Sequence, residues 1–128
     1  MPKSNESSVE TRAAWADRAA LLRAMAHPVR LMILDALCKG PRCVNDINAL
    51  LNDISQPNLS QHIAALRKAD LIACHTNGPL RCYYILRPTL VRKLIPLLYQ
   101  EHAVRERPRT TVVREAQENL KDTSDDSS

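Results

Sequence analysis

A chain of 128 residues with 45% hydrophobic side chains suits a single domain. With no Phe, one Trp and three Tyr its core must be largely aliphatic, and its two Gly exclude glycine-rich phosphate loops and dinucleotide fingerprints. The net charge is +4, but residues 108–128 hold 3 basic and 5 acidic side chains, which leaves +6 on the rest, a modestly basic body suited to a polyanionic partner.

No run approaches the ~18 apolar residues of a membrane span. Residues 1–10 are polar, carry no signal-peptide core and are expected to be disordered. A cytoplasmic chain with no membrane partner is the expectation, and its four cysteines should then be thiols rather than a disulfide scaffold.

The first helix is expected from Thr11 to about Met25, with Trp15, Ala19, Leu22 and Ala26 on one stripe and Leu21 and Met25 beside it. His27 stands before a proline, which disfavours helix, and Pro28 suits the opening position of the next one. That second helix runs to Cys38, buries Val29, Ile33, Ala36 and Leu37, and stops at Lys39-Gly40-Pro41. A third helix covers about Val44–Asn52 with Ile47, Leu50 and Leu51 inward. Cys43 lies three residues before Asp46, the spacing of a capping box with Cys in place of Ser or Thr.

Ser55 caps the fourth helix, and Pro57 is tolerated in its first turn. Leu59, Ile63 and Leu66 face the core and leave Asn58, Gln61, His62 and Arg67 outside. Residues 72–76 and 80–86 flank Asn77-Gly78-Pro79 and predict a β-hairpin. A last helix is expected over about Thr89–Val104, kinked at Pro96, with Leu90, Val91, Leu94, Ile95, Leu98 and His102 on its stripe. Residues 11–107 would form the domain, and 108–128 a polar acidic tail that is largely disordered. The fold class is mainly α with a small β-hairpin, a winged helix-turn-helix of about five helices.

The fourth helix begins with short polar side chains, which suits entry into a major groove about 12 Å wide. Ser55, Gln56, Asn58, Ser60, Gln61 and His62 are the candidate base-reading residues, since Gln and Asn can bond an adenine edge in two places. Arg67 and Arg81, with Lys68 and Arg42, are candidates for phosphate contacts, which set register and affinity. A thiol enzyme would need a nucleophile with a positioned base, and no such pairing stands out.

The segments Leu22-Arg-Ala-Met-Ala-His-Pro-Val-Arg-Leu-Met-Ile-Leu34, Ser55-Gln-Pro-Asn-Leu-Ser-Gln-His62 and Leu66-Arg-Lys-Ala-Asp-Leu-Ile72, with Gly78 and Tyr83-Tyr84, carry a resemblance over about residues 15–100. The chain resembles the ArsR/SmtB family of bacterial transcriptional repressors. The resemblance implies a homodimer joined through the first and last helices. It also implies a double-stranded DNA operator and release of that operator when an inducer binds. Two-fold symmetry then makes the operator an imperfect inverted repeat with half-sites about one turn apart. Asp70 stands where the family usually has Gly, and the stretch from Gly78 to the tyrosines is one residue longer.

Many such proteins sense metals or metalloids. The family's arsenic motif is Cys-Val-Cys-Asp, and here the segment is Cys43-Val44-Asn45-Asp46, with Asn in place of the second thiolate that a soft metalloid such as arsenite would want. The family's zinc site on the last helix is not matched by His102, Glu101 and Glu106.

Cys43 retains an argument of its own. A helix start beside Arg42 and Lys39 favours the thiolate, and Cys38 could converge with it on a soft metal ion or a reversible disulfide. The second pair is Cys74 and Cys82, a redox alternative. If the hairpin loop is Asn77-Gly78-Pro79, the two fall opposite each other with Cβ atoms ~4.5–5.5 Å apart. The alternative reading of each cysteine is a small buried hydrophobe, and it has most weight for Cys38, Cys74 and Cys82. The leading expectation is a repressor released by a thiol-directed soft metal or metalloid. A repressor answering oxidants or reactive sulfur, and a constitutive DNA binder with no inducer, are the alternatives.

Overall fold

The structure, a computed structural model, describes residues 8–127, with side chains described from 11 to 121. The first seven residues of the expected disordered N-terminus lie outside the described residues. The element order is α1 (Ser8–Met25), α2 (Pro28–Cys38), β1 (Arg42–Cys43), α3 (Val44–Leu50), α4 (Gln56–Lys68), β2 (Ile72–Asn77), β3 (Leu80–Ile85), α5 (Pro88–Tyr99) and α6 (Arg109–Ser127). The strands form one antiparallel sheet in the order β1-β3-β2.

Local chemistry explains the boundaries. His27 is extended, and its Nδ1 accepts the Val29 backbone N–H at 3.1 Å, so it caps α2 just ahead of Pro28. Ser55 Oγ accepts the Asn58 N–H at 3.4 Å and caps α4. After α4 the chain must turn left-handed, and Asp70 does so at φ 55°, a conformation that Asp tolerates better than most residues. Arg87 Nε secures that turn by donating to the Asp70 carbonyl at 3.0 Å.

The core is aliphatic, as the composition demands. Ile33, Leu34 and Leu37 of α2 pack with Ile47, with Leu59 and Leu66 of α4, and with Leu71, Ile72, Tyr83 and Val91, all at most 2% exposed. The 3- and 4-residue spacings of α2 and α4 thus deliver the expected buried faces.

Other expectations need correction. Leu50 is not inward but 54% exposed, because α3 ends there and Leu51 takes the buried place. Trp15, Leu22 and Leu98 are also exposed, so the stripes of α1 and α5 are only partly covered. The last helix of the domain stops at Tyr99, not Val104, because Gln100 turns extended and His102 Nε2 folds back to 2.6 Å from the Leu97 carbonyl. It continues through Pro96. Where a polar disordered tail was expected, residues 109–127 form α6, with an Arg114–Glu118 pair at 3.5 Å one turn apart.

The hairpin register differs by one residue. Asn77 pairs with Leu80 around a two-residue turn in which Gly78 has φ +61°, a position that favours Gly, and Pro79 follows with its ring-fixed negative φ. Cys74 therefore pairs with Tyr83, and His75 with Cys82. Successive strand residues point to opposite faces, so Cys74 and Cys82 lie on opposite faces and are not the opposed pair expected.

Candidate nucleic-acid interface

The α3–α4 pair and the β2–β3 hairpin meet at one surface. Leu59, Ile63 and Leu66 pin α4 to the core through one stripe. Gln56, Ser60 and Arg67 flank that stripe and share a shallow cleft of about 150 Å³ with Arg81 of β3, over a floor of Val44, Ile63 and Tyr83. Four of the predicted contact residues thus come together from two elements. Asn58 and Gln61 are exposed and lie on the side of α4 away from the buried stripe. Ser55 is also exposed, but its hydroxyl is occupied in capping.

Electrostatically the surface is available to an anion. Among the described residues no acidic side chain forms an ion pair with Arg67, Lys68 or Arg81. Arg42 is half-buried, and its Nε donates to the Ala36 carbonyl at 3.1 Å, so it braces the chain between α2 and β1.

His62 departs from its expected place among the outward-facing residues. Its ring lies 4.2 Å from that of His27, and its Nδ1 accepts from Arg30 Nε at 3.2 Å. Arg30 also donates to the Ala24 carbonyl at 3.2 Å. Partial burial lowers the His62 pKa from its ordinary value, and the neighbouring His27 and Arg30 charges lower it further. This cluster ties the flank of α4 to the start of α2. The helix period shows that His62 lies off the buried stripe, but not that His27 and Arg30 wait there.

Neither cysteine pair expected from the sequence, Cys38 with Cys43 or Cys74 with Cys82, is brought together. All four are half-buried thiols. Cys38 packs on the core beside α5, with Sγ 4.0 Å from the Val91 carbonyl. Burial raises its pKa, and Asp35 adds to the rise while Arg92 opposes it. Cys43 faces elsewhere: its thiol donates to Asp46 Oδ2 at 3.3 Å, so the two side chains of the expected capping box meet each other rather than the backbone. Cys38 and Cys43 therefore engage different neighbours on different elements. Among the described residues no group of three or more His, Cys, Asp or Glu side chains is arranged to hold a metal ion.

A short helix, a tight turn, a second helix with a polar exposed face and an arginine-bearing hairpin beside it define a winged helix-turn-helix DNA-binding protein. The sequence model of the bacterial regulatory protein, arsR family, matches residues 27–73, which span α2 through the start of β2. A biofilm growth-associated repressor from Agrobacterium fabrum is 37% identical over 81 residues, covering 63% of this chain and 68% of that protein.

Solved structures agree. Reduced HlyU from Vibrio cholerae superposes with a TM-score of 0.62 at 33% identity, over 70% of this chain and 93% of its own. The transcriptional repressor BigR from Xylella fastidiosa gives a TM-score of 0.62 at 28% identity, over 79% and 99%. The chain belongs to the ArsR family of DNA-binding transcriptional regulators. Among the described residues no helix is long and apolar enough to cross a membrane.

Proposed function

We propose that this regulator is a homodimeric repressor that binds an imperfect inverted-repeat operator and releases it when its thiols are modified. The observation that carries the reading is the joint surface of α4 and the hairpin, where Gln56, Ser60 and Arg67 share a cleft with Arg81. Gln56, Asn58, Ser60 and Gln61 read base edges, with the Ser55 cap setting the approach of the helix. Arg67 and Arg81 bind phosphates and fix the register. His62 acts by orienting α4.

The exposed apolar faces of α1 and α5 support the dimer. Leu98 and Tyr99 of α5, 54% and 68% exposed, line one groove with Met32 at 53%, and Leu22 of α1 is 54% exposed; large apolar side chains grouped at a surface mark an interaction site. A dimer joined there would present its two α4 helices to half-sites about one turn apart. Among relatives, the Agrobacterium protein is named a repressor and HlyU of Vibrio cholerae an activator, and a silent resting promoter is the simpler outcome for a protein that blocks its own operator.

Of the two thiol chemistries, oxidation is favoured over a soft metal or arsenite. Asn45 replaces the second thiolate of the metalloid motif, and among the described residues of one chain no three His, Cys, Asp or Glu side chains are grouped to hold a metal ion. The test is a footprint on the chain's own upstream DNA, read with light-scattering masses of the wild type and Leu98→Asp. The expected result is a two-fold protected repeat bound by a dimer, with both lost in the variant. A single unsymmetrical footprint bound by a monomer would overturn the dimer.

A further inference from the structure

Cys43 and Cys82, which the sequence assigned to different pairs, are direct cross-strand partners in the β1–β3 ladder. The turn geometry fixes the kind of pair. A two-residue turn makes Asn77 and Leu80 the hydrogen-bonded closing pair, and the two kinds of pair alternate along an antiparallel ladder. Leu80, Cys82 and Tyr84 therefore direct their backbone polar groups to β2, and Arg81 and Tyr83 direct theirs to β1. Arg42–Tyr83 becomes the hydrogen-bonded pair of β1–β3, and Cys43–Cys82 the non-hydrogen-bonded one. Such pairs bring Cα atoms to ~4.5 Å with side chains close, at the short end of the ~4.4–6.8 Å that disulfides span.

The pair lies on the outer face of the sheet. Tyr83, Ile85 and Ile72 fill the core face, while Cys82 shares the other face with Tyr84 and with His75, whose rings stack at 5.0 Å. Both thiols are half-buried and so reachable by a small reagent, unlike a sealed core cysteine.

We propose that Cys43 and Cys82 form a reversible disulfide on exposure to a hydroperoxide, and that this bond weakens operator binding. The regulatory half rests on the repressor reading above; the disulfide half does not. In the first step the Cys43 thiol yields its proton by way of the Asp46 carboxylate to solvent. The thiolate sulfur then attacks the peroxide oxygen and breaks the O–O bond, giving a sulfenic acid and releasing water or an alcohol. In the second step the Cys82 thiolate attacks the sulfenic sulfur, forms the S–S bond and expels hydroxide, which leaves as water. Two thiols lose two electrons and the peroxide gains them.

The consequence for DNA follows from where the bond falls. It closes a loop of about 40 residues that contains α3, the turn and α4, and it ends on the strand that carries Arg81. A relaxed disulfide prefers Cα atoms ~5.5–6 Å apart, so β3 must move out from β1 by on the order of 1 Å. That shift displaces Arg81 from the cleft it shares with Gln56, Ser60 and Arg67.

The experiment treats the full chain with hydrogen peroxide, blocks free thiols and digests with trypsin without reduction. Arg42 and Arg81 precede the two cysteines, and all four cysteines fall on separate tryptic peptides. The expected product is the cross-linked peptide pair that begins at Cys43 and Cys82, two mass units lighter than the free peptides and separated by dithiothreitol. Cys43→Ser and Cys82→Ser abolish it; Cys38→Ser and Cys74→Ser do not. Oxidation raises the melting temperature by on the order of 10 °C, as closing a loop of this size should. Operator affinity falls roughly tenfold, the scale of one or two lost contacts, and recovers on reduction.

A cross-link through Cys38 or Cys74, one between two chains, or sulfenic acid with no cross-link would overturn the pairing. The right cross-link with unchanged operator affinity would overturn its regulatory role. Failure of the reduced protein to bind its upstream DNA would overturn the repressor reading and leave the cross-link result to stand by itself.

Discussion

His27→Ala is the perturbation that best separates the account from a generic helix bundle. The side chain does two things: its Nδ1 caps α2 through the Val29 N–H at 3.1 Å, and its ring packs on His62 at 4.2 Å. Loss of an N-cap costs typically ~1 kcal/mol. A ring pair adds ~0.5–1.5 kcal/mol. Their sum is about 2 kcal/mol, which for a domain of this size lowers the melting temperature by roughly 6 °C. Urea unfolding followed by circular dichroism at pH 8, with His62 neutral, measures it. His27→Asn restores a capping oxygen but not the ring, so it should recover about half of the loss. If His27→Ala unfolds within about 0.5 kcal/mol of wild type, or if Asn recovers nothing, the assignment of His27 as cap and brace is wrong.

The same cluster predicts a pH dependence. The folded-state pKa of His62 is lowered, chiefly by burial, so the unfolded chain takes up the proton first as pH falls through ~6.5. Stability should drop below that pH, level off below the folded-state pKa, and lose this component in His62→Gln; urea midpoints from pH 8 to 5 read it out. On DNA, Gln61→Ala should cost about 1–3 kcal/mol against the cognate site and relax specificity at one base pair. Arg67→Ala should weaken all sequences alike and reduce the salt slope by about 1, both measurable by fluorescence anisotropy across salt concentrations. At the φ 55° turn, Asp70→Gly should raise the melting temperature and Asp70→Val lower it by more, because a β-branched residue is the least tolerant of that conformation.

Much of the fold was written locally. Pro28, the Ser55 cap and the apolar spacing of α2 and α4 act within one or two helical turns, so periodicity and capping chemistry located those helices closely. What stayed hidden is non-local. β1 is two residues long and exists only because Arg42 and Cys43 meet Tyr83 and Cys82 some 40 residues later. A three-residue loop at Asn77-Gly78-Pro79 would oppose Cys74 and Cys82, but the turn has two residues, and a one-residue slip reverses every side chain on a strand. Gly78 followed by Pro79 fits the two central positions of a type II′ turn, and that signal was present in the sequence.

The interface shows the same division. The polar start of α4 was legible because groove-reading helices need short hydrogen-bonding side chains there. That Arg81 shares a cleft with Gln56, Ser60 and Arg67 depends on how the hairpin docks, and His62 leaves the outward set through contacts with α2.

The most direct test of the account is fluorescence anisotropy of the reduced protein on its own upstream DNA against a scrambled duplex of equal length, at physiological salt. Sequence-specific binding through α4 predicts at least ~10³-fold tighter binding to the upstream DNA, with most of that margin lost when Gln56, Asn58 and Gln61 are all replaced by Ala. Equal affinity for both duplexes, or a margin untouched by the triple replacement, would contradict it.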